Sequence, residues 1–304
     1  MKVAIIDLGT NTFHLLIAEI DDDKPKIIYK TNEPVRLGED ITKANLIIPT
    51  AFKRGITCLQ AFKKTIDHYG VKTVKAVATS GVRSAKNGQA FVDAAKIQAG
   101  ISIDVVDGDE EANYIYLGVK WSGAITEPAL IMDIGGGSTE FILCNTKNLI
   151  WKKSYNVGAA RLMQAFFKSD PINHQDQLTI RQHLDEQLAE LITICKTHQP
   201  QMLIGSAGAF ESFAEMIDVN LDIKAISATE IDFRAYQQLA LTLIKANHEE
   251  RAKMDRLIPL RFDMIVMAAL LTDYTLEKLA LKKIKLSTYD LKMGVLRSFY
   301  SVIG

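Results

Sequence analysis

Short, almost wholly apolar runs alternate along this chain with longer segments whose apolar residues recur every three or four positions, and the two patterns predict strands and helices respectively. The chain opens on Val3-Ala4-Ile5-Ile6-Asp7, a strand, and Phe13-His14-Leu15-Leu16-Ile17 returns beside it as the second arm of a hairpin. Residues 26–29 read as a third strand, so three antiparallel strands begin the fold, with Val35-Arg36-Leu37-Gly38 a loop on the same edge. Pro49-Thr50 starts a helix whose Phe52, Ile56, Leu59, Phe62 and Ile66 share one face, and Gly70 ends it. Residues 74–79 form a buried strand running into the polar turn Ser80-Gly81-Val82-Arg83. A helix over 88–98 and a strand over 101–106 complete a βαβ unit that delivers Asp107-Gly108-Asp109-Glu110-Glu111 to the same edge. Asp109 is expected to cap the next helix.

The small polar segment Trp121-Ser122-Gly123-Ala124 before Pro128 marks a boundary, giving domains 1–122 and 123–304. The second half then repeats the opening: strand 129–131, a glycine turn, strand 141–143. A helix begins at Gly158-Ala159-Ala160-Arg161, and one long amphipathic helix is predicted over 175–197. A strand over 202–204 ends in Gly205-Ser206-Ala207-Gly208-Ala209, which opens another helix and offers a third anion contact. The apolar stretch 264–271 reads as a buried helix.

The candidate chemistry gathers at the turns. Asp133-Ile134-Gly135-Gly136-Gly137-Ser138-Thr139-Glu140 reads as strand, phosphate turn, strand, since successive glycines allow consecutive N–H groups to point at one anion. Asp133 and Glu140 bracket it with the hard oxygens a magnesium or calcium ion needs. Asp7-Leu8-Gly9-Thr10-Asn11-Thr12-Phe13-His14 matches this stretch 126 positions earlier. A repeat of that kind predicts two domains of like topology facing one another, an α/β fold in which each domain offers an Asp-Gly turn to phosphates in an interdomain cleft. His14, between apolar neighbours on a strand, reads as a packed histidine and not as an acid or base.

Lys plus Arg equals Asp plus Glu at 36 each, so no global field favours nucleic acid or an acidic membrane, and any anion site must be local. Cys58, Cys144 and Cys195 are widely spaced and lack a CxxC arrangement, which argues for reduced core thiols over disulfides or zinc. No apolar run approaches the length of a membrane helix, and a cytoplasmic protein is expected.

Along its whole length the chain resembles the exopolyphosphatase/guanosine pentaphosphate phosphohydrolase family, within the actin, hexokinase and Hsp70 superfamily of ribonuclease H-like domains. The matching pieces are residues 7–14, Val35-Arg36-Leu37-Gly38, Ala78-Thr79-Ser80-Gly81-Val82-Arg83, Gly108-Asp109-Glu110-Glu111-Ala112, residues 133–140, Gly205 to Gly208, and Ser287-Thr288-Tyr289 through Gly294-Val295-Leu296. The resemblance implies hydrolysis of terminal phosphoanhydride phosphates with Mg2+ or another divalent cation. Glu111 resembles the catalytic carboxylate and Arg83 the phosphate-clamping guanidinium. Asp7, Gly9, Thr10, Asn11, Thr12, Arg36, Gly135, Gly136, Gly137, Ser138, Gly205 and Gly208 fall where phosphates are bound, and Asp133 and Glu140 where metal is held. Lys292 stands where an arginine is common, and Ala209 where a hydroxyl residue is common. On that resemblance, a stop at Gly304 without the further helical domains of longer relatives is expected to favour short polyphosphates over processive digestion.

Three readings follow: a hydrolase acting on inorganic polyphosphate or guanosine pentaphosphate (pppGpp), a small kinase of the same fold, and a non-catalytic sensor of either ligand. A homodimer is compatible with all three. The retained Glu111, Asp133 and Glu140 favour the hydrolase, because phosphoryl transfer needs an oriented nucleophile and neutralised oxygens more than covalent help.

Overall fold

The computed structural model describes residues 1–20, 25–40, 45–206 and 208–303. It divides into two compact units, Met1–Leu117 with Leu291–Gly304, and Gly118–Asp290. This differs from the expected 1–122 and 123–304 in two ways. The first division falls inside a helix and not in a loop at 121–124, and the C-terminal segment belongs to the first unit. No described helix is long and apolar enough to cross a membrane.

The first unit is built on β1 (Lys2–Leu8), β2 (Phe13–Ile20), β3 (Pro25–Glu33), β4 (Thr73–Ala78) and β5 (Ile103–Val105), in the order β3-β2-β1-β4-β5. β1 to β3 form an antiparallel meander, and β4 and β5 are added in parallel. Period-two alternation sends Ala4, Ile6 and Leu8 into one core, which puts Asp7 on the opposite face. Helix α1 (Pro49–His68) lays Ile56, Leu59, Phe62 and Ile66 on that core, as their spacing predicts. Between β4 and β5 run a short helix, α2 (Ser80–Arg83), and α3 (Gly88–Ala99). Helix α4 (Gly108–Ser122) follows β5.

In the second unit β6 (Ala129–Ile134), β7 (Thr139–Cys144) and β8 (Leu149–Tyr155) form the meander. β9 (Met202–Ser206) pairs in parallel with β6, and β11 (Ile284–Ser287) with β9, while β10 (Ala228–Ile231) closes the edge antiparallel to β11. The order β10-β11-β9-β6-β7-β8 is that of the first sheet with one strand added. Both units therefore have the ribonuclease H-like topology expected from the repeat.

The helices of the second unit are α5 (Ala159–Phe166), α6 (His174–Gln187), α7 (Ala189–His198), α8 (Gly208–Ile217), α9 (Phe233–Lys245), α10 (His248–Arg251) and α11 (Met264–Lys278). The single helix expected over 175–197 is two, broken at Leu188, whose φ of −104° and ψ of 12° leave the helical region. Ile180, Leu184, Leu188, Leu191 and Cys195 are all buried, so the apolar pattern passes through the break unchanged and conceals it. Helix α12 (Leu291–Ile303) closes the first unit.

Candidate active site

The two glycine turns have the same geometry. Leu8 pairs with Phe13 and Ile134 with Thr139, leaving four-residue loops at 9–12 and 135–138. In each, the first glycine donates its N–H to the fourth residue's carbonyl, Gly9 to Thr12 at 3.1 Å and Gly135 to Ser138 at 3.0 Å. A Cβ on either glycine would lie 2.9 Å from that carbonyl oxygen. Both turns are tethered by their remaining carbonyls. Thr10 accepts from the Gly38 N–H at 2.8 Å and Asn11 from the Arg36 N–H at 2.7 Å. Gly135, Gly136 and Gly137 accept from the N–H groups of Ala159, Arg161 and Gly158, and the Arg161 Nε donates to the Gly137 carbonyl at 3.0 Å. Peptide N–H and C=O point in opposite directions, so a loop held by its carbonyls presents its amides the other way, as an anion site requires.

Close approaches explain the surrounding glycines. A Cβ on Gly38 would sit 2.2 Å from the Thr10 Cγ2, and one on Gly81 2.9 Å from the Thr10 Cα. Helix α2 is thereby pressed onto the first turn, and Arg83, two residues beyond Gly81, arrives beside it. Its Nη1 donates to Glu111 Oε2 at 2.8 Å and to the Val106 carbonyl at 3.0 Å. Among the described residues its Nε and Nη2 meet no hydrogen-bond acceptor. Glu111 is 6% exposed at the start of α4. That helix is capped by Asp107, whose Oδ1 accepts from the Glu110 N–H at 2.8 Å, and not by Asp109 as expected. The cap sets the phase of the first turn: Glu110 is exposed and meets Tyr114, while Glu111 turns inward to Arg83.

Asp7 faces Lys292, whose Nζ lies 3.8 Å from its Oδ2, with both side chains largely buried. The lysine comes from α12, which crosses α4 so closely that a Cβ on Gly294 would fall 1.7 Å from the Tyr114 carbonyl oxygen. In the second unit Asp133 and Glu140 are cross-strand partners, which puts their side chains on one sheet face. Asp133 accepts from the Ser206 hydroxyl at 2.7 Å and Glu140 from the Ser154 hydroxyl at 2.6 Å.

The family model described as the Ppx/GppA phosphatase family matches residues 16–301. The chain belongs to the Ppx/GppA phosphatase family. It is 26% identical to a putative exopolyphosphatase of Haemophilus influenzae, over 98% of this chain and 91% of that protein. It is 30% identical to a bifunctional 3-dehydroquinate synthase/phosphatase of Fusobacterium nucleatum and 28% identical to a guanosine-5'-triphosphate,3'-diphosphate pyrophosphatase of Pseudoalteromonas translucida. Those alignments take in 96% and 97% of this chain but span only 46% and 58% of the relatives' lengths. The crystal structure of an exopolyphosphatase from Cytophaga hutchinsonii superposes with a TM-score of 0.96 at 34% identity, covering 99% of this chain and 98% of that one. A Ppx/GppA member from Aquifex aeolicus gives 0.83 at 26% identity, covering 100% and 99%.

Against this Ppx/GppA frame the expected site residues sort into groups. Glu111, Arg83, Gly9, Thr10, Asn11, Thr12 and Asp7 belong to the first unit, where Glu111 and Arg83 meet directly. Arg36 adopts a left-handed backbone (φ 50°) and tethers the turn through its N–H, while its side chain is exposed. In the second unit Ser138 is 2% exposed, and its contribution to the turn is through its backbone. Gly205 lies within β9, not in the turn, and a Cβ there would strike the Phe210 ring at 1.9 Å, so packing accounts for it. Gly208 takes φ of 50°, a conformation suited to glycine at the start of α8, and Ala207 lies outside the described residues. Sequence reasoning missed the carboxylate partners Ser154 and Ser206, the tether Arg161 and the close-packing Gly158. Only strand register could have found the serines.

The fit to a divalent cation rests on the donor set. Among the described residues no cluster of three or more His, Cys, Asp or Glu side chains is grouped for a metal. Magnesium commonly takes only one or two carboxylates and fills its shell with water and phosphate oxygens. Asp133 and Glu140, side by side on β6 and β7, are a carboxylate pair of that kind. The three cysteines are free and buried, with burial pushing each thiol up to about 12.

Proposed function

We propose that this chain is an exopolyphosphatase-type phosphohydrolase that releases terminal phosphate from inorganic polyphosphate by attack of water, acting in the cytoplasm. The observation that carries the reading is the Arg83–Glu111 pair at 2.8 Å, in which two motifs 28 positions apart join a buried carboxylate to a guanidinium beside a glycine turn. Glu111 orients the water and takes its proton as the new P–O bond forms, while the P–O bond to the shortened chain breaks. Arg83 has the N–H groups of Nε and Nη2 to neutralise oxygens of the transferred phosphoryl group. The amides of the first glycine turn, in the same unit, hold a neighbouring phosphate. Asp133 and Glu140 would hold Mg2+, which when bound supplies further neutralisation of phosphate oxygens.

A second reading, hydrolysis of the 5' terminal phosphate of pppGpp, is supported by the likeness to the Pseudoalteromonas pyrophosphatase across 97% of this chain. Phosphate release from tripolyphosphate and from pppGpp, measured side by side with and without Mg2+, tests both. Faster release from tripolyphosphate supports the first reading, and faster release from pppGpp the second. No release from either overturns the hydrolase.

A further inference from the structure

Four side chains form one row across the second sheet. Asp133 and Glu140 are direct partners on β6 and β7, Glu140 is registered with Ser154 on β8, and Ser206 follows Gly205, the partner of Met132, on β9. The two central positions are carboxylates and the two outer ones are serines, each donating inward at 2.7 Å (Ser206) and 2.6 Å (Ser154). Ser206 is 1% exposed and Glu140 2%, with Asp133 and Ser154 half-buried, so these are partly shielded, charge-assisted bonds and not chance surface contacts. The corresponding row of the first sheet runs Val77, Asp7, His14, Asn32. Valine cannot donate a hydrogen bond, the second carboxylate is replaced by an imidazole, and Asp7 is met by the Lys292 ammonium instead.

We propose that Ser206 and Ser154 are positioning residues that hold the Asp133 and Glu140 carboxylates in the orientation needed to share one divalent cation. The proposal deepens the phosphohydrolase reading and rests on it for the cation's purpose. Two carboxylates side by side on a sheet repel each other, and a hydroxyl on the outer edge of each fixes its rotation without competing as an anion. Outer-shell partners of this kind are worth about 10–100-fold in metal affinity.

The test is Mn2+ alone, titrated into the full chain and followed by electron paramagnetic resonance, a readout independent of turnover. The wild type should show a saturable site that Asp133→Asn removes. Ser206→Ala and Ser154→Ala should each weaken it by about 10–100-fold, and Ser206→Thr, which restores the hydroxyl, should recover most of the affinity. Should an alanine variant misfold by circular dichroism, Ser206→Cys and Ser154→Cys, nearly isosteric and weak donors, should show the same weakening. Wild-type Mn2+ affinity in the folded serine variants, retention of the site in Asp133→Asn, or no Mn2+ binding by the wild type would overturn the proposal. Phosphate release by the wild type, measured separately, decides the underlying reading, so either can fail without the other.

Discussion

The two units share a sheet order, a meander, a four-residue turn and a carbonyl tether, and differ in what lies around them. In the first, the turn is tethered by the loop 35–38, α2 is pressed onto it, and Arg83, paired with the buried Glu111 carboxylate, stands beside it. In the second, the turn is tethered by the start of α5, and two carboxylates flanked by serines stand behind it. The duplicated scaffold gives each unit the same glycine turn, which the proposed function reads as a phosphate site. In the proposed function the side chains added to each copy divide the work, with Glu111 and Arg83 in one copy and the proposed cation ligands Asp133 and Glu140 in the other.

The division is broken most directly at the base. We predict that Glu111→Gln lowers kcat on tripolyphosphate by about 10²–10⁴-fold with little change in KM, the usual worth of general-base work. Glu110→Ala, one residue away but exposed and turned towards Tyr114, should stay near wild type. The reverse result would place the base on the wrong residue. Next in size, Arg83→Ala should raise KM by about 10–100-fold, corresponding to the 1.5–3 kcal/mol of hydrogen bonds to a charged group. Arg83→Lys should recover only part of that, because an ammonium lacks the fork. Unchanged KM in both variants would remove Arg83 from phosphate binding.

The tethers can be tested apart from the charges. A Cβ on Gly158 would lie 2.5 Å from backbone atoms of Gly136 and Gly137, which cannot step aside as a side chain can. Gly158→Ala should therefore cost about 3 kcal/mol, the upper end for overpacking, and should also raise KM by displacing the turn. Gly205→Ala, which strikes the Phe210 ring, should destabilise similarly yet leave KM closer to wild type, because it meets the core and not the turn. Thermal unfolding beside KM for both variants separates the two outcomes.

Much of this contrast was legible in the chain. The spacing of Phe52, Ile56, Leu59, Phe62 and Ile66 gave α1, and the 126-residue repeat gave the duplicated topology, because periodicity and glycine turns are local signals. Glu111 and Arg83 were legible through their motifs, though their bond to each other, 28 positions apart, was not. The helix break at Leu188 escaped because the apolar spacing continues through it. The cap went to Asp107 because the helix begins at Gly108, one residue before Asp109. The return of α12 to the first unit was hidden for another reason: its Lys292 and Gly294 gain meaning only from Asp7 and Tyr114, which are remote in sequence.

The smallest expected effect concerns stability and belongs to the second unit. On α11, burial pushes the Asp273 carboxyl up to about 6, above its ordinary value of 3.8. A carboxyl whose pKa is higher in the folded state binds its proton more tightly there. Its contribution is therefore fully present below about pH 4 and is lost as pH rises through about 6. At neutral pH the charge is a cost, and the rise from 3.8 to about 6 sets an upper limit of roughly 3 kcal/mol. We predict that Asp273→Asn raises the stability of the second unit at pH 7 by about 1–2 kcal/mol, with the gain shrinking to nothing near pH 4. Glu111, Arg83 and the first turn are untouched by this change, so KM should not follow it. Thermal unfolding at pH 4, 5.5 and 7 gives the profile. A variant less stable than wild type at pH 7 would mean that the carboxylate is held there by its hydrogen bond with Tyr236, and that this contact outweighs burial.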